Sequence, residues 1–367
     1  MNGASSSQAW AMPATVCSPP ISCSKGVKRV TIGIVFSVAA LLLAVRNIDL
    51  EDLDTLKDLP VPWLHAVAGG LVLMIGVVLR GHRLKLLLPR DDPVPRKVLS
   101  GATAILYLVN NLFPARAGEV VRVVLIRRSS NSSLTGLLTA TLLERCMDGI
   151  TIAALVLGAV LALDVSPTMT ERATGLGLVF VIAVIVLALG ELLYRRNPDL
   201  AHRWIARCTP GTTGKRIRRV IEGVFEGLNL MESPARSLGI LASSLAIWSS
   251  TALGFYLLVL GYPPEMMPHT PFVGAVITGA VAFAASIPAA PGYLGVFQLA
   301  VKEALELIGA EEIAALHAAL MLWVVNWISN NLLGAFYAIR LGVGWSQLRR
   351  ETAIDVSPET VSMEDQR

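Results

Sequence analysis

Residues 110–122 read NNLFPARAGEVVR, and apolar runs lie on both sides of them. At membrane depth Asn110, Asn111, Arg116, Glu119 and Arg122 would each carry a desolvation penalty. The stretch is therefore either a loop in water or a place that uses those groups. Of 367 residues 54% are hydrophobic and only 16% charged, with a mean hydropathy of +0.61, whereas a soluble globular chain is about a quarter charged. Several apolar blocks approach the ~20 residues a helix needs to cross a bilayer. Soluble fold classes are set aside on that ground.

The formal charge of +4 is small, and the basic residues cluster at the ends of apolar segments, as the positive-inside rule expects. Nothing suggests a nucleic-acid partner. Cys17, Cys23, Cys146 and Cys208 show no metal-ligand or redox spacing, so neither a zinc site nor a disulfide framework is expected. The opening residues lack the basic start and apolar core of a signal peptide. Residues 1–24 and 345–367 read as disordered ends around a transmembrane region at 25–344.

Full spans are expected at about Val30–Val45, Val61–Leu79, Leu134–Leu163, Gly175–Leu193, Leu238–Leu260 and Ile313–Ile339. Between them lie shorter apolar pieces, Val98–Phe113, Phe272–Ile287 and Leu294–Ile308. The loop RGHRLKLLLPRDDPVPRK after the second span and the basic run from RRNPD to KRIRR both read as cytoplasmic. Arg122, Arg127 and Arg128 put the far side of NNLFPARAGEVVR on that same face. A piece of ~16 apolar residues with both flanks on one side reads as re-entrant, its tip at Pro114–Gly118, where Pro interrupts the helix and Gly permits reversal.

PAAPGYLG after Phe272–Ile287 repeats the arrangement with flanks that look external. Pro114-Ala115-Arg116-Ala117-Gly118 matches Pro288-Ala289-Ala290-Pro291-Gly292 at three of five positions. The fold expected is an all-α polytopic membrane protein, about six full spans plus two oppositely oriented re-entrant helical hairpins. It forms an inverted repeat with halves at about 28–163 and 174–340, and both termini are cytoplasmic. Paired, Pro/Gly-interrupted segments in an inverted repeat are a transporter signature that puts the binding site where the broken helices meet.

Several polar groups stand inside this apolar frame. Glu119 and Arg122 are three residues apart on the returning helix and can neutralise each other, which leaves Arg116 for an anion. Glu144 and Asp148, at i,i+4 inside a span with Arg145 beside them, either line a pathway or form a buried ion-pair network that pins the bundle. Arg122 or Arg116 are the partners expected for them. The second tip, PAAPGYLGVFQ, either frees backbone groups for a ligand or is a packing bend. The last span carries Trp323, Asn326, Trp327, Asn330 and Asn331, of which Asn326 and Asn330 share a face and are read as bridging helices. His65, His269 and His317 are isolated, and no metal role is assigned. The segment Ile217–Met231 reads as an amphipathic helix on the cytoplasmic surface.

NNLFPARAGEVVR, then LLERCMD, then PAAPGYLGVFQ, resemble the motifs of the lysylphosphatidylglycerol synthase transmembrane family of flippase-like membrane proteins. Asn110, Pro114, Arg116, Gly118, Glu119 and Arg122 carry the first motif, Glu144, Arg145 and Asp148 the second, and Pro291, Gly292 and Gly295 the third. The family's glutamate in the third motif is Gln298 here, which puts any proton or cation step at that carboxylate in doubt. No counterpart of the soluble aminoacyl-transfer domain of bifunctional relatives is present, so lysyl transfer is not expected.

The resemblance implies translocation: a flippase that moves a phospholipid or polyprenyl-phosphate-linked headgroup between leaflets of a bacterial cytoplasmic membrane. Its headgroup site would be drawn from Asn110, Arg116, Glu119, Arg122, Glu144, Arg145, Asp148, Pro291, Gly292, Gly295 and Gln298, with no metal, cofactor or catalytic residue. A membrane lipid with an anionic headgroup is the expected partner, alongside a second copy of the chain or a lipid-synthesis enzyme. The alternatives are a membrane-embedded glycosyltransferase or other lipid-modifying enzyme, and a non-catalytic member of a lipid-synthesis complex.

Overall fold

A computed structural model describes residues 23–46, 56, 59, 61–89, 92–113, 116–132, 134–163, 196–197, 203, 207, 234–287 and 289–344. The span expected at Gly175–Leu193, the amphipathic segment Ile217–Met231, Pro114, Pro288 and the tail at 345–367 lie outside these residues. The elements are helices throughout: α1 (Cys23–Val45), α2 (Trp63–Leu87), α3 (Arg96–Leu112), α4 (Gly118–Arg127), α5 (Leu134–Ala162), α6 (Pro234–Val259), α7 (Phe272–Ala284), α8 (Val296–Leu307) and α9 (Glu312–Arg340). A 3₁₀ turn, Pro291–Tyr293, sits between α7 and α8.

Four of the described helices are long and apolar enough to cross a bilayer, within α2, α5, α6 and α9. An all-helical chain with these spans is a polytopic membrane protein. α2 shows how it meets lipid. Leu64, Val67, Leu71 and Ile75 recur at helical spacing and are exposed, Leu64 to 80%. Leu73, Val77, Arg80 and Leu84 recur on the opposite side and are buried.

Two boundaries differ from expectation. α1 begins at Cys23, inside the stretch read as a disordered end, and its apolar part is only Gly33–Val45. α2 continues to Leu87, so Arg80, Arg83 and Lys85 belong to a helix and not to a cytoplasmic loop. Arg80 and Arg83 are buried there. Hydropathy ends a span at the first charge because it weighs each side chain alone. These guanidiniums are instead neutralised by an acidic residue on α5.

α3 and α4 pack as a helical hairpin, as do α7 and α8. The first hairpin shares an apolar core with the end of α2 (Leu84, Leu87), the start of α6 (Ile240) and the end of α9 (Ala338). The second shares one with the start of α2 (Ala66, Leu73), the end of α6 (Leu258, Val259) and the start of α9 (Ala314, Leu322). The hairpins therefore enter the bundle from opposite ends. α3 also packs on α9 and α7 on α5, while α2 crosses α6. At that crossing a Cβ on Gly254 would lie 3.0 Å from the carbonyl oxygen of Gly69. Small residues let the two backbones touch, which is how helices associate where lipid removes the hydrophobic drive.

Candidate functional site between the hairpin tips

Each tip is built from its own backbone. In the first, Phe113 is extended after α3 and Arg116 turns the chain in the left-handed region at φ 55°. The Asn110 side-chain carbonyl accepts the Gly118 N–H at 2.9 Å, which locks the start of α4 onto α3. In the second, Gly292 (φ 73°), Tyr293 (φ 59°) and Gly295 (φ 88°) make the reversal. Three of its backbone groups are engaged by side chains. The Gly292 carbonyl accepts the Trp323 Nε1–H at 2.7 Å, and Gln298 Oε1 accepts the Gly295 N–H at 2.6 Å. Ser37 Oγ of α1 accepts the Ala290 N–H at 2.9 Å. These contacts fit the packing-bend reading of this tip.

The tips meet. α3 touches the Pro291–Tyr293 turn, and the Arg116 guanidinium lies 5.9 Å from the centroid of the Tyr293 ring. Beside that meeting is a cavity of about 370 Å³. From the first hairpin it is lined by Tyr107, Asn110, Asn111, Arg116 and Glu119, and from the second by Gly292, Tyr293 and Phe297. α2 adds Arg80, α5 Arg145 and Asp148, α6 Trp248, and α9 Trp323, Asn326, Trp327 and Asn330.

Behind the wall runs a chain of buried charges. Arg122 Nη1 donates to Glu144 Oε2 at 2.7 Å, and Arg83 Nη2 lies 3.6 Å from Glu144 Oε1. Arg83 Nη1 reaches Asp148 Oδ1 at 2.7 Å and Ser244 Oγ at 3.0 Å. Arg80 Nη1 is 3.4 Å from Asp148 Oδ2, and Trp248 Nε1 donates to Asp148 Oδ1 at 2.8 Å. Arg83 and Arg122 are 1% and 3% exposed. Charges so deep survive because each carboxylate is shared between two guanidiniums or further hydrogen bonds. α2, α4, α5 and α6 are tied together by this chain.

The expected site residues thus divide. Asn110, Arg116, Glu119, Arg145, Asp148 and Gly292 line the cavity. Arg122, Glu144, Pro291, Gly295 and Gln298 are not among its lining residues. The Glu119–Arg122 pair forms at 3.7 Å, but the stronger partner of Arg122 is Glu144, and Glu119 pairs with Arg145. Gln298 is fully buried with its Nε2 unpartnered, and its oxygen caps α8. Asn326 and Asn330 bond to each other along α9 at 3.1 Å, and among the described residues no bond from them to another helix is seen.

The sequence reading puts Arg80 in a loop and does not single out Trp248. Arg80 stacks over the Trp248 ring at 4.5 Å while it holds Asp148. Two signals could have found them: Arg80 falls on the stripe Leu73, Val77, Arg80, Leu84, and Trp248 stands mid-span, away from the interfacial belts where Trp concentrates.

Three guanidiniums (Arg80, Arg116, Arg145) and two carboxylates (Glu119, Asp148) leave the cavity one net positive charge. Both carboxylates are paired. Arg116 is exposed and has no carboxylate partner among the described residues. Among the described residues, no three His, Cys, Asp or Glu side chains are grouped to hold a metal ion.

Fold and site together define a polytopic helical membrane protein with two opposed hairpins around a cavity of mostly apolar wall and net positive charge. The family described as lysylphosphatidylglycerol synthase TM region matches residues 30–334, and the chain belongs to it. Glycosyltransferase AglD of Haloferax volcanii is 26% identical over 311 residues, covering 74% of this chain and 48% of that protein. The chain spans about half the length of this curated relative.

Proposed function

We propose that this protein carries a lipid with an anionic headgroup, a phospholipid or a polyprenyl phosphate, between the leaflets of a bacterial cytoplasmic membrane. The hairpins re-enter the bilayer from opposite sides and hold the headgroup between their tips, while the acyl or prenyl chain stays in lipid. Basic residues at the ends of the spans put both chain termini in the cytoplasm. One observation carries the reading: Arg116, at the tip where the hairpins meet, faces the cavity with no carboxylate partner among the described residues. A guanidinium presents a planar fork of donors that suits a phosphate.

Charge-assisted bonds of about 1.5–3 kcal/mol correspond to roughly 10–100-fold in affinity. Vesicles reconstituted with the protein should therefore move a fluorescent acidic phospholipid or a short polyprenyl phosphate between leaflets. Arg116→Ala should lower the rate at subsaturating lipid by that factor. Equal rates in the two proteins would sink the assignment.

The name of the Haloferax relative, glycosyltransferase AglD, favours a second reading, a membrane-embedded glycosyltransferase. Formation of a radiolabelled glycolipid by the purified chain would select it over transport.

A further inference from the structure

We propose that the headgroup taken by this cavity is a glycosyl phosphate, its phosphate at Arg116 and its sugar ring against α9. The phosphate half rests on the reading of Arg116 above, and the ring half rests on α9 itself.

Trp323, Asn326, Trp327 and Asn330 recur at i, i+3, i+4 and i+7, a single helix face, and all four line the cavity. The other side of the same helix exposes Ile328, Leu332, Phe336 and Ile339. The helix therefore exposes apolar side chains on one side and presents two indoles and two amides to the cavity on the other.

The indoles offer π surface more than hydrogen bonds. Trp323 and Trp327 stack with centroids 6.2 Å apart and planes at 27°. The Trp323 N–H is already given to the Gly292 carbonyl. Aromatic faces are electron-rich, and the C–H faces of a pyranose are weakly positive and flat enough to lie on them.

The amides offer both halves of a hydrogen bond. The Asn330 Nδ2 to Asn326 Oδ1 bond uses one donor and one acceptor and leaves the Asn326 NH₂ and the Asn330 carbonyl for a ligand. Asn111, also on the cavity wall, has an amide nitrogen with no partner. A bare phosphate, being an acceptor, leaves the Asn330 carbonyl unused, and an ammonium leaves the Asn326 NH₂ unused. A hydroxyl both donates and accepts, so vicinal hydroxyls satisfy the pair. A cationic headgroup is disfavoured further because both cavity carboxylates are already held by arginines.

The two subsites adjoin. Tyr293 lies under Arg116, and a Cβ on its neighbour Gly292 would stand 3.3 Å from the Trp327 ring. A phosphate at the tip therefore has its next substituent beside the indoles.

The test uses the purified full chain in lipid nanodiscs, with binding measured for undecaprenyl phosphate, undecaprenyl phosphoglucose and glucose 1-phosphate. The phosphoglucose lipid should bind at least about tenfold tighter than the bare phosphate lipid. Asn326→Leu and Trp327→Leu should each bring that ratio towards one, whereas Arg116→Ala should weaken both lipids by a similar factor. If Asn326→Leu does not fold, Asn326→Gln moves the amide by one methylene and tests the same contact. Competition by glucose 1-phosphate would assign the chemistry to a water-soluble ester, and lack of competition would assign it to the lipid. Equal binding of the two lipids, with both weakened by Arg116→Ala, overturns the sugar subsite and leaves the anion reading standing. Equal binding with Arg116→Ala silent overturns both.

Discussion

Arg122→Met separates the charges that hold the bundle from those that face the cavity. The guanidinium is 3% exposed and makes bonds of 2.7 Å to Glu144 and 2.9 Å to Thr141. Removing one member of a buried pair costs about 3–5 kcal/mol, chiefly because the other is left charged and dry. Glu144 would keep Arg83, though at 3.6 Å, so the low end of that range, about 3 kcal/mol, is expected. Adding Glu144→Leu removes the stranded carboxylate, and Arg83 still has Asp148 at 2.7 Å. The double variant should regain much of the loss, with a coupling of about 2 kcal/mol. Reversible denaturation in bicelles of the wild type, the two single variants and the double variant closes the cycle, and lipid binding by the folded fraction of Arg122→Met should match the wild type. Unchanged stability combined with weakened lipid binding would refute the division, because it would put Arg122 in contact with the ligand.

Three further outcomes follow from the packing. Burial pushes the Asp92 carboxyl up, but the Ser130 and Ser132 hydroxyls, the Val94 N–H and the Lys85 ammonium together hold it below the usual carboxylate range. Its folded value lies under the unfolded one, so its stabilisation is complete at neutral pH and is lost as pH falls below about 4 towards the folded value. Limited proteolysis at residues 128–132 should accelerate there in the wild type and show a flatter pH profile in Asp92→Asn. Gly254→Val should cost about 1–3 kcal/mol by forcing α2 and α6 apart, read as a lower denaturation midpoint. Gly292→Ala combines a left-handed φ of 73° with a close Trp327 ring, and a loss of about 1–2 kcal/mol should show in thermal unfolding.

Local chemistry announced the hairpins. Pro and Gly between short apolar runs, with basic residues at both flanks of the first, led to two reversals that pack at opposite ends of the bundle. The end of α2 was misread because the partner that neutralises Arg83 lies 65 residues away, beyond the reach of any local average. The grouping of LLERCMD was legible but its division was not fully drawn. Arg145 stands about 100° from Glu144 but only about 60° from Asp148, and of the three only Arg145 and Asp148 line the cavity. The structure sends Arg145 to Glu119 and joins Glu144 and Asp148 through Arg83. Which side of α5 meets a cavity depends on the helices around it, and periodicity alone does not name them.

The bond between Arg83 and Asp148 also bears on how the protein is made. α2 leaves the ribosome well before α5, so its two buried arginines reach the membrane with no counter-charge waiting. An unpaired arginine costs about 2.5–3.5 kcal/mol to insert at a helix centre, and less towards the end where Arg80 and Arg83 stand. The C-terminal turns of α2 would then linger at the interface until α5 delivers its carboxylates. Biogenesis of this bundle becomes a two-stage process, in which a late helix completes the insertion of an early one.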